Sequence, residues 1–114
     1  MIKLSDKEIE KYSRQILIEK IGIKGQEKIK NSSILLIGCG GLGTSAAQYL
    51  TMAGVGKIKI IDSDKVELSN LNRQTLFFEK DIGKYKVDTL QKNLKEINPE
   101  AKIEISKRKI NKKN

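Results

Sequence analysis

Residues 33–43 read Ser33-Ile34-Leu35-Leu36-Ile37-Gly38-Cys39-Gly40-Gly41-Leu42-Gly43, an apolar run that enters a Gly-x-Gly-x-x-Gly turn. The pattern predicts a strand opening directly into a helix. Its glycines serve a tight turn, backbone approach to a phosphate or adenosine, and close helix-to-strand packing. A helix starting here aims its free N–H groups and positive dipole end at any bound anion. A second apolar run, Lys57-Ile58-Lys59-Ile60-Ile61, leads to Asp62, 19 positions past Gly43. An acidic group at that place meets ribose hydroxyls. Glycines also cluster in ordinary turns, but the β-branched run before the turn and the helical stretch Thr44–Met52 after it favour nucleotide binding.

Outward from this turn the periodicity changes element by element. Ser5-x-x-Glu8 can close a capping box, and Ile9, Tyr12 and Ile16 recur at helical spacing. Residues 6 to about 19 are therefore expected to form one amphipathic helix, with Arg14 off its apolar stripe. Gly22 and Gly25 break the pattern, leaving a short helical turn over residues 26–30. Ile34–Ile37 is apolar at every position, the mark of a strand covered on both faces. A helix from about Leu42 to Met52 stops at the glycine-rich Ala53-Gly54-Val55-Gly56. Residues 62 to about 83 form a long polar loop, and loops of such length are usually functional. Val87, Leu90, Leu94 and Ile97 predict a helix from Lys84 to Asn98, closed by Pro99, and Lys102–Ser106 a third strand. The fold class is α/β: a Rossmann-like parallel sheet built as a β-α-β-α-β half-domain of order 3-2-1, preceded by an N-terminal helix. The expected divisions are a helical segment at 1–30, the half-domain at 31–106 and a frayed basic tail at 107–114.

Composition narrows the function classes. The 114 residues are 38% hydrophobic and 32% charged, which fits one globular domain. No apolar run approaches the roughly 18 residues of a membrane span, and polar Met1–Glu10 does not read as a signal peptide. With one cysteine and no histidine, an internal disulfide, a cysteine zinc quartet and a histidine base are excluded. The default compartment is the cytosol or an equivalent reducing space such as an organelle stroma. Of the net charge of +9, Lys107, Arg108, Lys109, Lys112 and Lys113 supply five, leaving +4 for residues 1–106. Lysine far exceeds arginine and aromatics are few, so the charge reads as a solvated surface and not as a nucleic-acid site.

From Tyr12-Ser13-Arg14-Gln15 to Ile97-Asn98-Pro99 the chain resembles the N-terminal half of the ThiF/MoeB/HesA family, bacterial relatives of ubiquitin-activating enzymes. The motifs are Arg14-Gln15, Gly25-Gln26-Glu27, the turn at 38–43, residues 53–56, Asp62-Ser63-Asp64, Ser69-Asn70-Leu71-Asn72-Arg73-Gln74, Gly83-Lys84, Lys86 and 97–99. The resemblance implies a domain that binds ATP with magnesium and adenylates the C-terminal glycine of a ubiquitin-like sulfur carrier of molybdopterin or thiamine biosynthesis, releasing pyrophosphate. By this resemblance Arg73 and Lys86 contact the phosphates, Asn70 and the Gly41 backbone donate hydrogen bonds, and Asp62 holds the ribose. Arg14 matches an arginine that reaches the triphosphate from a partner subunit, which implies a homodimer. Such chemistry needs cations, since a carboxylate attacking the α-phosphorus brings two anions together.

The catalytic candidates are thus Arg73, Lys86 and Arg14. The nucleotide-binding candidates are Gly38, Gly40, Gly41, Gly43, Asp62, Asp64, Ser69, Asn70, Arg73 and Lys86. Each has a plainer rival: Arg73 and Lys86 as solvated charges, Arg14 as a snorkelling side chain, Asn70 as a turn residue, and Asp64 as a cap of the following loop. Cys39 reads as a small core side chain, and the role of Lys84 stays open. The family's further strands, its magnesium-holding aspartate and its zinc-binding Cys-x-x-Cys pairs have no counterpart here, so a truncated family member, a gene remnant or one half of a split protein is expected. Two other readings remain: a non-catalytic nucleotide-binding or dimerising fragment, and an NAD-binding Rossmann dehydrogenase fragment. The second has no need of the 69–74 motif or Lys86.

Overall fold

The computed structural model describes residues 1–113; Asn114, the end of the expected basic tail, lies outside the described residues. The N-terminal capping box forms as read: Ser5 Oγ accepts the Glu8 N–H at 3.2 Å and Glu8 Oε1 the Ser5 N–H at 3.0 Å. The single helix expected after it does not. It is split into α1 (Asp6–Lys11) and α2 (Ser13–Ile16) at Tyr12, and α3 (Gly22–Lys30) starts at the glycine expected to break it. Tertiary packing overrides local propensity here. Tyr12 is only 3% exposed and Gln26 fully buried, and seating both against the end of the next helix outweighs an unbroken stripe of weak apolar residues.

The β-α-β-α-β unit follows the sequence closely. β1 (Ser33–Ile37), α4 (Gly41–Ala53), β2 (Lys57–Ile61), α5 (Lys86–Ile97) and β3 (Lys102–Ser106) form a parallel sheet of order β1-β2-β3, which is the expected 3-2-1. Register runs from Ser33 beside Lys57 to Ile61 beside Ser106. Ile58, Ile60, Val87, Leu90 and Leu94 are fully buried between sheet and helices. Each such side chain contributes about 1.5–3 kcal/mol by leaving water.

One expectation fails. β1 is covered on one face only, because Leu35 and Ile37 are 58% and 59% exposed while Ile34 and Leu36 pack on the core. Both crossover helices lie over the Ile34, Leu36, Ile58, Ile60 and Ile103 side, so alternate β1 residues face outward. The tail also begins less freely than expected: the Lys107 ammonium pairs with Asp88 at 3.0 Å and lies 4.6 Å from the Tyr85 ring centroid. Among the described residues no helix is long and apolar enough to cross a membrane.

Candidate functional site

The glycine turn sits between the end of β1 and the start of α4. Gly38 has φ +97°, and Gly43 lies so close to the Gly38 carbonyl oxygen that a Cβ there would collide with it. That contact presses the first turn of α4 onto the strand end. The N-cap of α4 is Gly40, which has no side chain to offer, and the N–H groups of Gly41, Leu42 and Gly43 meet no acceptor among the described residues. Uncapped donors and the helix dipole together favour an anion at this point.

The loop after β2 folds back onto the same end of the sheet. Asp62 Oδ2 accepts the Cys39 N–H at 2.7 Å, and its Oδ1 accepts the Asp64 N–H at 2.7 Å. A short 3₁₀ turn, Leu68–Asn70, carries the chain toward Arg73. The Arg73 stem lies against Gly41, whose added Cβ would be 3.6 Å from Arg73 Cγ, and its guanidinium donates to the Ser69 carbonyl at 3.0 Å and to Asn72 Oδ1 at 2.9 Å. Asn70 is buried; its Oδ1 accepts the Glu67 N–H at 2.8 Å. Its turn role and its place in the cleft therefore coexist, since the amide Nδ2 is left to donate.

Asp64, Lys65, Glu67, Asn70 and Lys86 line a polar cleft of about 180 Å³. Lys86 opens α5, where its N–H donates to the Asp64 carbonyl at 3.0 Å. The residue is 6% exposed, yet among the described residues its ammonium has neither a carboxylate nor a hydrogen-bond acceptor in reach. An ammonium that lines a cleft and makes no ion pair of its own is available to an anion. Cys39, at the base of the turn, is fully buried. Burial pushes its thiol up to about 12; the Asp62 charge adds to the rise and Lys86 opposes it. The thiol therefore stays neutral and non-nucleophilic at neutral pH, as its reading as a core side chain requires.

The predicted residues of the turn, the 62–74 loop and the start of α5 thus converge, with Ser69 joining through its carbonyl. Lys84 is exposed and faces Asp81 at 3.9 Å. Arg14 lies elsewhere. Its neighbour Gln15 donates to the Ala53 carbonyl at 3.1 Å, at the C-terminal end of α4. The glycine turn is at the other end, about 18 Å away along the helix axis, farther than an arginine side chain reaches.

What sequence reasoning missed is the structural role of several motif residues. Gln15 Nε2 and Gln26 Nε2 both donate to the Ala53 carbonyl, and Gln15 also donates to Gln26 Oε1 at 2.8 Å. Asn98 Nδ2 donates to the Tyr12 hydroxyl at 2.9 Å and to the Thr51 carbonyl at 3.1 Å. Gly54, in the left-handed region at φ +101°, leaves room for Tyr12 and Gln26. These side chains satisfy the last carbonyls of α4 and anchor α2 and α3 there; they do not touch the cleft.

A family model described as "ThiF family" matches residues 12–114. The chain belongs to the ThiF family. It is 48% identical over 102 residues to the adenylyltransferase and sulfurtransferase MOCS3 of Anopheles gambiae, covering 90% of this chain and 23% of that protein. It is 39% identical over 103 residues to the sulfur carrier protein adenylyltransferase of Thermus thermophilus, covering 90% of this chain and 38% of that one. Among solved structures, E. coli MccB with ATP superposes with a TM-score of 0.81 at 36% identity, covering 89% of this chain and 32% of that one. The E. coli tRNA N6-threonylcarbamoyladenosine dehydratase TcdA in complex with AMP does so at 0.89 and 26%, covering 96% and 44%. This ThiF-family chain therefore spans less than half the length of each of these relatives.

Proposed function

We propose that residues 31–106 are the nucleotide-binding half-domain of an ATP-dependent adenylyltransferase that activates the C-terminal glycine of a ubiquitin-like sulfur carrier. The observation that carries this reading is the Lys86 side chain, lining the cleft with no ion pair among the described residues at the same end of the sheet as Arg73 and the uncapped N-terminus of α4. The names of the relatives and the ATP and AMP in the matched structures support it.

In this reading the open N–H groups of Gly41, Leu42 and Gly43 and the cations of Arg73 and Lys86 hold the triphosphate, while Asp62 meets the ribose. A carrier carboxylate oxygen attacks the α-phosphorus, the bond to the bridging oxygen breaks, and its electron pair leaves with pyrophosphate. Arg73 and Lys86 neutralise the charge that gathers on that leaving group. Among the described residues no group of three or more His, Cys, Asp or Glu side chains is gathered to hold a metal ion. Arg14 is too far from its own turn and in this reading acts in trans, from a second subunit. Pyrophosphate release with a carrier ending in Gly-Gly tests the activity: release above background supports a catalyst, and binding without release leaves a nucleotide-binding fragment. Calorimetric titration with ATP-magnesium and with NAD separates this reading from the dehydrogenase, which has no use for Arg73 and Lys86.

A further inference from the structure

One carboxylate ties the two halves of the cleft together. Asp62 takes the Cys39 N–H with one oxygen and the Asp64 N–H with the other, both at 2.7 Å. Asp64 in turn lends its carbonyl to the Lys86 N–H at 3.0 Å. The next residues continue the tie: Lys65 bridges Tyr85 in antiparallel fashion, and the Val66 N–H donates to the Lys84 carbonyl at 2.8 Å. The Asp62 side chain therefore joins the glycine turn to the loop after β2, and main-chain bonds carry that tie on to the start of α5.

The arrangement also sorts the donors of the turn. The Cys39 N–H points to Asp62, while those of Gly41, Leu42 and Gly43 stay open. A carboxylate this close to an anion site would repel a phosphate, and two charge-assisted main-chain bonds disperse its charge away from that side. We propose that Asp62 is a positioning residue for the triphosphate in addition to a ribose contact: it sets the spacing between the open N-terminus of α4 and the Lys86 ammonium. This rests on the nucleotide reading of the site. The two roles separate cleanly, because a ligand without a ribose is blind to a ribose contact and sensitive to the spacing of the cations and donors that hold its phosphates.

Asp62→Asn keeps the side chain's size but replaces one of its two acceptors with a donor that faces an N–H. Calorimetry of the full chain with magnesium, using inorganic tripolyphosphate and adenosine as separate probes, is compared between wild type and variant. The expected result is about tenfold weaker tripolyphosphate binding and faster amide exchange at Cys39 and Asp64, with melting still well above the assay temperature. Unchanged tripolyphosphate affinity beside weakened adenosine binding makes Asp62 a ribose contact alone and overturns the proposal, as does a drop in stability with no change in affinity. Should the variant not fold, amide exchange in the wild type decides. Saturating tripolyphosphate is expected to slow exchange at Cys39 and Asp64 together, and unaltered protection at both overturns the coupling. Wild-type protein that binds neither ATP nor tripolyphosphate defeats the nucleotide reading itself, and the positioning role with it.

Discussion

Lys86 carries the phosphate reading at the scale of one residue. The residue is buried along its length and lines the cleft, and its ammonium makes no ion pair among the described residues. Replacement by an apolar side chain of similar length keeps the packing of the stem and removes the charge. Lys86→Met is therefore expected to leave the unfolding free energy within about 1 kcal/mol in urea titration, while weakening ATP far more than adenosine. A larger loss of stability would show that the free protein itself uses the ammonium. Arg73→Ala should shift the ligands in the same direction with stability nearly unchanged, within about 0.5 kcal/mol, because that side chain is exposed. Equal losses for ATP and adenosine in both variants would remove the pair from the phosphates. The identity of these residues was legible in the sequence through the motifs around them. The isolation of the Lys86 charge and the double main-chain bond of Asp62 were not, since both depend on which groups the folded loop brings within hydrogen-bond distance or keeps out.

The elements that were legible are those whose apolar period is enforced by the sheet and its two crossover helices. β2 and β3 fall where their alternation or apolar run put them, and α5 follows the 87-90-94-97 spacing. The N-terminal elements were misread because their positions are set by polar contacts far along the chain, such as Tyr12 to Asn98 and Gln15 to Ala53. Glycine at 22 and 25 says nothing about those partners. The Glu8–Lys30 pair shows how such contacts hold α1 onto α3: Lys30 Nζ lies 2.6 Å from Glu8 Oε1 and 2.7 Å from the Lys3 carbonyl. Burial on its own raises the Glu8 pKa, but the bonds from Lys30 and Ser5 outweigh it and hold the carboxyl below its ordinary value of 4.5. The stability this supplies is fully present above that value and is lost as pH falls through the lower folded one. Glu8→Gln should cost about 1.5–3 kcal/mol at neutral pH, and its deficit relative to wild type should shrink when the pH is lowered from neutral to below the folded-state pKa, where the wild-type side chain is itself neutral. Urea denaturation at the two pH values measures this; a deficit independent of pH would mean that packing, not charge, joins the helices.

At the scale of the whole molecule, the sheet is two different surfaces. One face is closed by α4 and α5, and the other presents Leu35, Ile37 and Lys59 to solvent, with Lys57 and Glu104 paired across it at 3.3 Å. β1 is also an edge: β2 takes one side, and its other row of N–H and C=O groups has no strand beside it among the described residues. An apolar, unpaired edge strand is a template for another chain, and the lysines that protect natural edges lie on β2 here instead of β1. The 114-residue chain alone is therefore expected to sediment as dimers or larger species, and to become monodisperse when a partner supplies strands that continue the sheet beyond β1. Leu35→Lys combined with Ile37→Lys places charge on that edge without replacing any residue that lines the cleft. The double variant should sediment as a monomer and keep the wild-type affinity for tripolyphosphate. If the unmodified chain is already a cooperatively unfolding monomer, the edge is protected by something in the chain itself, for which the segment after Ser106, with Arg108 and Ile110 beside Lys59 and Ile61, is the nearest candidate, and deleting residues 107–114 would then bring the association back.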